Sequence, residues 1–325
     1  MGAYKAALER IPLSALDFLS HYVRGGYLEP LDEVRLRKFL LSHELYIAQQ
    51  RKKRICEIKT LEYDYKLFNI CFFENVAKNV LYSLANDSIP ILTFTSSTTG
   101  TNLWNDLFSW PFSLPEEGAK RELCAYTSAP VYFPGFPNAR DIELISKLYH
   151  LLWQPNSKTR AYFDDEYDDL IKGKKVLGVL SRGTDYLVTK PKNHPIQPST
   201  EELITKAQEV AEKGDYDYIY LATEESAVEE KFNAAFPGRI IVNKRHYFDK
   251  YYKLSADRKR VLIADVNTGR ENDEYWKSLE YLSSVNLLSK CDGLVAGCCG
   301  GSRAALYVNN GAYQTWYLFN KGVYS

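Results

Sequence analysis

KVLGVLSRGTD (residues 175–185), YIYLATEE (218–225) and GLVAGCCGGSR (293–303) decide the fold of this chain. Each is a short continuous apolar run that ends in polar or Gly-rich sequence, the pattern of a strand buried on both faces and followed by a turn. Helical patterns separate them. Ser199 with Glu202 three residues later spells a capping box, residues 225–235 and 272–290 continue as helices, and a further helix is expected at 302–310. RIIV (239–242) adds a strand, and YQTWYLF (313–319) reads as the last one. Strands that alternate with helices are joined by right-handed crossovers. The expectation is an α/β fold whose C-terminal part is a doubly wound parallel sheet.

Upstream the rhythm is helical and irregular. Residues 30–54 place Val34, Leu36, Phe39, Leu40 and Ile47 near helical spacing and finish on Arg51-Lys52-Lys53-Arg54. That run can touch an anionic membrane surface, though it reads first as a solvated helix end. A second amphipathic helix is expected over 66–86, and IPILTF (89–94) is a short buried strand. The Ser-, Thr-, Gly- and Pro-rich stretch 95–118 reads as a long loop pinned to the core by Trp104, Phe108 and Trp110. A helix resumes over 139–153. The acidic stretch 154–174 reads as a linker, which gives two domains, 1–165 and 166–325.

Composition narrows the function. The 325 residues are 45% hydrophobic and 25% charged, so wholesale disorder is excluded. Lys+Arg and Asp+Glu both total 41, which argues against a nucleic-acid partner held by a broad basic face. The 25 tyrosines read mainly as packing residues. Six cysteines show no C-x-x-C pair and no zinc spacing, so they read as thiols in a reducing compartment. No apolar run is long enough for a membrane span and no secretory signal is expected from the first residues, and Ala6 breaks a myristoylation pattern. A cytoplasmic location is expected, with peripheral membrane contact left open.

In an open parallel sheet, ligands bind at the carboxyl ends of the strands. Three such ends carry chemistry here. Arg182 leaves the first strand beside Gly183, so its fork can meet a phosphate, with Asp185 placed to hold the guanidinium or brace the loop. A turn-stabilising Arg–Asp pair explains the same residues. Thr223 and Glu224 end the second strand, where a carboxylate can take ribose or base hydrogen bonds or simply begin the next helix. Gly300 and Gly301 lead into the helix expected from Ser302, with Arg303 next; the free amides at its start attract an anion, and Ser302 can cap or donate. The alternative is a tight glycine turn without a ligand. Neither G-x-G-x-x-G nor the P-loop is present, which removes the main support for a nicotinamide-dependent enzyme or an NTPase.

The ordered set R-x-x-D, A-T-[DE] and a Gly-rich turn ending in S-R resembles the C-terminal half of fucosyltransferase-type glycosyltransferases of the GT-B class. These include the α1,2-, α1,6- and protein O-fucosyltransferases, and the chain is read as a bacterial member. The likeness covers roughly residues 174–310. The family's H-x-R-x-x-D motif stands here with Leu180 in place of the His, and Cys298 and Gly300-Gly301 depart from its late turn. NLWNDLF (102–108) is similar to an N-terminal motif of bacterial relatives, whereas Asn69 to Glu74 replaces the usual G-G-L-G-N loop. The resemblance implies two Rossmann-like domains, with the donor, GDP-fucose, in the C-terminal one and a glycan acceptor facing the helix-rich N-terminal one. It implies inverting transfer in polysaccharide biosynthesis, no cofactor and no metal. Asp164-Asp165-Glu166 and Asp168-Asp169 fall in the expected linker rather than in a strand-end D-x-D. Arg182 and the 300–302 amides would then neutralise the diphosphate, and Glu74 is the candidate base for the acceptor hydroxyl. A catalytically silent nucleotide-sugar or glycan-binding protein is the alternative, favoured by the missing His.

Overall fold

The structure is a computed structural model that describes residues 54–59, 67–85, 88–94, 100–112, 120–125, 136–182, 190, 192–249, 251 and 266–325. Of the helix expected over 30–54, residues 30–53 lie outside the described residues. The chain divides into two compact units. The first takes Met1–Tyr65, Cys71–Pro134 and Glu143–Gln154, and the second takes Lys66–Ile70, Gly135–Ile142 and Pro155–Ser325.

The first unit is built on a three-stranded parallel sheet of order β2-β1-β3, from β1 (Arg54–Lys59), β2 (Ile89–Thr93) and β3 (Lys120–Ala125). β2 falls where IPILTF predicts it. β1 and β3 do not match the sequence reading, which ended a helix at Arg54 and had no strand at Lys120–Ala125. Both are six-residue strands whose conformation is settled by pairing, β1 being flanked on both sides, and neither has a long apolar run of its own. Helix α1 (Ile70–Ala85) supplies Phe72 and Phe73, and the short α2 (Leu103–Leu107) supplies Trp104. Phe73 stacks on Trp104 at 5.4 Å and meets Tyr149 at 4.8 Å, and Phe108 lies 5.1 Å from Trp153. The Trp110 indole donates to the Pro90 carbonyl at 3.1 Å. The three aromatic residues therefore fix their segment as expected, around a one-turn helix that the loop reading missed. α3 (Ala139–Leu152) follows.

In the second unit the acidic stretch is not a linker. It folds as α4 (Ser157–Leu170), with the Asn156 side chain accepting from the Thr159 amide. Thr159, Phe163 and Glu166 are buried, while Asp164, Asp165 and Asp169 stay in or near solvent. The acids that read as turn-formers are thus the wet face of a helix. After it come β4 (Val176–Ser181), α5 (Thr200–Gly214), β5 (Tyr218–Thr223), α6 (Ser226–Ala235), β6 (Ile240–Ile241), α7 (Asp273–Lys290), β7 (Gly293–Gly297), α8 (Gly300–Val308) and β8 (Thr315–Phe319). The Ser199–Glu202 capping box is present, with bonds of 2.8 and 3.2 Å.

The five strands are all parallel and run β6-β5-β4-β7-β8. In chain order that is 3-2-1-4-5, the doubly wound Rossmann arrangement, whose strand order reverses between β4 and β7. Val176, Leu177 and Val179 of β4 and Leu294 and Val295 of β7 are fully buried. α7 packs so closely that a Cβ on Gly178 would lie 3.1 Å from Leu288 and 3.2 Å from Cys291 Sγ. Burial pushes the Cys291 thiol well up. Cys71, Cys291, Cys298 and Cys299 are not in disulfides, but Cys56 is disulfide-bonded, against the expectation of six thiols.

Candidate functional site

The switch point between β4 and β7 places Ser181-Arg182 and Gly297-Cys298-Cys299 at neighbouring carboxyl ends, with Thr223-Glu224 one strand further out. Arg182 is the first residue beyond β4. Its Nη1 donates to Glu224 Oε2 at 2.6 Å, with the two side chains 23% and 15% exposed. Two strand ends singled out in the sequence are thereby joined. Glu224 braces the guanidinium across the sheet, and Asp185, to which the sequence reading gave a bracing role, lies outside the described residues. Thr223 is buried, and its Oγ1 accepts from the Glu225 amide at 3.3 Å, so its hydroxyl serves the turn.

The glycines after β7 are not a loop. α8 starts at Gly300, two residues earlier than predicted, because Ser302 caps from inside. Its fully buried Oγ accepts from the Cys299 amide at 3.0 Å and faces the carbonyls of Gly297 and Cys299 at 2.8 and 3.0 Å. Of the two roles the sequence allowed Ser302, capping is the one it fills. The amides of Gly300 and Gly301 belong to the first turn, where intrahelical acceptors are lacking and the helix dipole is positive. Gly301 is packed into protein, since a Cβ there would meet Tyr281 Oη at 3.3 Å and Leu180 Cδ2 at 3.4 Å. Gly300 would meet Ile70 Cγ2 at 3.2 Å. Arg303 is half-buried, with its amide on the Cys299 carbonyl at 3.0 Å. Glu74 sits in the second turn of α1 and is buried.

Two residues escaped the sequence reading. Gln197 is buried, and its Nε2 donates to the carbonyls of Pro195 and Cys298 at 3.1 and 2.9 Å. It lies so close to Gly297 that a Cβ there would be 2.2 Å from Gln197 Oε1. Gly297 is therefore required by close approach. Arg245 follows β6 and donates from Nη1 to the Thr223 carbonyl and from Nη2 to Ser284 Oγ, the latter at 3.0 Å. The rule that picked out the other strand ends applies equally to Asn243-Lys244-Arg245, but this end carries no glycine or motif to draw the eye. Among the described residues no group of three or more His, Cys, Asp or Glu is placed to hold a metal ion, and no helix is long and apolar enough to cross a membrane.

No protein-family model matches the sequence, and no curated protein matches it. Fucosyltransferases are among the solved structures similar to it. The α-1,6-fucosyltransferase NodZ of Bradyrhizobium, soaked with GDP-fucose, aligns over 79% of this chain and 93% of its own at 13% identity and a TM-score of 0.46. A variant of Arabidopsis thaliana FUT1 in complex with GDP aligns over 86% and 75% at 10% identity, with a TM-score of 0.43. POFUT1 in complex with GDP aligns over 87% and 79% at 11% identity, with a TM-score of 0.39.

Proposed function

We propose that the chain is a glycosyltransferase that takes a sugar from a nucleoside-diphosphate donor, GDP-fucose, and moves it to a glycan acceptor with inversion and without a metal. The observation that carries this reading is the Arg182–Glu224 pair at the carboxyl ends of β4 and β5, beside the switch point and the start of α8. A guanidinium oriented by a carboxylate presents its fork in a set direction, and a diphosphate matches that fork. As the diphosphate leaves C1, its growing charge is met by Arg182 and by the first-turn amides of Gly300 and Gly301. Ser302 supports this turn from within. Glu74 remains the candidate base that takes the proton of the acceptor hydroxyl.

Leu180, standing where the resembling enzymes carry a motif His, favours a second reading: a binding protein that holds the nucleotide sugar without transferring it. Measuring GDP release from GDP-fucose alongside donor binding separates the two. The transferase reading expects slow release without acceptor, lost in Arg182→Ala. Donor binding with no GDP release under any acceptor tested would favour the silent protein.

A further inference from the structure

We propose that Arg245 reads the base of the bound nucleotide and selects guanine over adenine. The proposal rests on the nucleoside-diphosphate reading above and adds the residue that chooses among nucleotides. Arg245 is clamped between the carboxyl end of β5, through the Thr223 carbonyl, and α7, through Ser284 Oγ. The segment that carries it folds back over β5, with the Phe248 amide donating to the Glu224 carbonyl at 2.9 Å.

Arg182 and Arg270 each have a carboxylate partner, and Arg245 has none among the described residues. The closest linked carboxylate, Glu166, is reached only through Ser284 and Asn243, by bonds of 3.3 Å each. The Arg245 Nε is closed off from solvent and has no hydrogen-bond partner. That Nε is enclosed by protein; what a ligand can meet is the second N–H that each of Nη1 and Nη2 keeps beyond its bond to Thr223 or Ser284.

Its place in the sheet says which part of a nucleotide does so. In a doubly wound sheet the diphosphate lies at the first strand's end and the ribose at the second's, which leaves the base toward the third. Here those ends carry Arg182, Glu224 and Arg245 in turn. A guanidinium only donates hydrogen bonds. Guanine offers O6 and N7, both acceptors, on one edge, whereas adenine sets an amino donor beside its N7.

The test is the calorimetric affinity of the full chain for GDP, ADP and inorganic pyrophosphate, in wild type, Arg245→Met and Arg245→Lys, with melting temperatures on the same preparations. Wild type is expected to bind GDP about ten- to a hundredfold more tightly than ADP. Arg245→Met should bring GDP to within a few-fold of ADP and leave ADP and pyrophosphate unchanged. Arg245→Lys keeps the charge but not the fork, so it should also lose the preference; it decides the matter if the Met variant does not fold. A preference that survives in the folded variants overturns the proposal. So does an equal loss of all three ligands, which would place Arg245 on the phosphates or in the fold alone. Wild type that binds none of the three sinks the nucleotide reading itself, and the base proposal with it.

Discussion

Glu224→Gln removes a charge 2.6 Å from the Arg182 guanidinium while keeping the side chain's size. At that distance the bare attraction is about 1.6 kcal/mol in water and about 6 kcal/mol at an effective dielectric of 20. Both side chains are mostly covered, so desolvation consumes much of it, and a charge-assisted hydrogen bond nets about 1.5–3 kcal/mol. Gln still offers a carbonyl oxygen, so about half of that is lost. The loosened guanidinium then meets the diphosphate in the right pose less often, and GDP affinity should fall about five- to tenfold. Arg182→Ala loses the grip itself and should cost about 2–4 kcal/mol in transfer, with Arg182→Lys close behind because an ammonium lacks the fork. The informative protein is the double variant. If Glu224 acts through Arg182, the double variant binds GDP no worse than Arg182→Ala alone. Calorimetry on the four proteins of the cycle, with melting temperatures to confirm folding, reads this directly. Additive losses would refute the reasoning and return Glu224 to the ribose contact that its strand-end position first suggested.

Gly297→Ala would put a methyl 2.2 Å from Gln197 Oε1 and 2.7 Å from Pro198 Cδ. Gln197 is tethered by two bonds and Pro198 is a ring, so the strain should cost about 1–3 kcal/mol and lower the melting temperature by several degrees; an unchanged melting temperature would mean that this turn yields freely. Gly301→Val should also destabilise, against Tyr281 and Leu180, yet leave the GDP affinity of the folded protein within a few-fold of wild type; a large affinity loss would show that the Gly301 Cα faces ligand rather than protein. Burial raises the Asp273 carboxyl, but bonds from Thr268 and Arg270 outweigh it and bring it from its ordinary 3.8 to about 2. Its contribution, at most about 2.5 kcal/mol, is therefore present above pH 4 and lost as pH falls through about 2, so Asp273→Asn should flatten the acid limb of a urea-stability profile, and an unaltered limb would contradict it.

The second unit was largely legible in the sequence because buried parallel strands write themselves as continuous apolar runs. β4, β5 and β7, and the Ser199–Glu202 cap, lie where those runs and caps predict them. The first unit's sheet was half hidden. Its β1 carries Arg54, Glu57 and Lys59, so pairing with β2 and β3, not composition, makes it a strand. α4 was obscured by its own wet face, since the exposed Asp164, Asp165, Asp168 and Asp169 outnumber the buried Thr159, Phe163 and Glu166 that anchor it. At the site, each strand end could be found singly, but not who pairs with whom. Glu224 reaches Arg182 across adjacent strands 42 residues apart in the chain. Ser302 spends its hydroxyl inward because the capping geometry of Cys299 takes it. Both facts depend on register and on the start of α8, which no local pattern states.

The most direct test of the nucleotide site is the position of the diphosphate in a crystal structure of the chain with GDP, grown in EDTA. The account predicts phosphate oxygens within hydrogen-bond distance of the Arg182 guanidinium and of the first-turn amides of α8. GDP bound away from the carboxyl ends of β4 and β7, or present only when a divalent cation is restored, would contradict it.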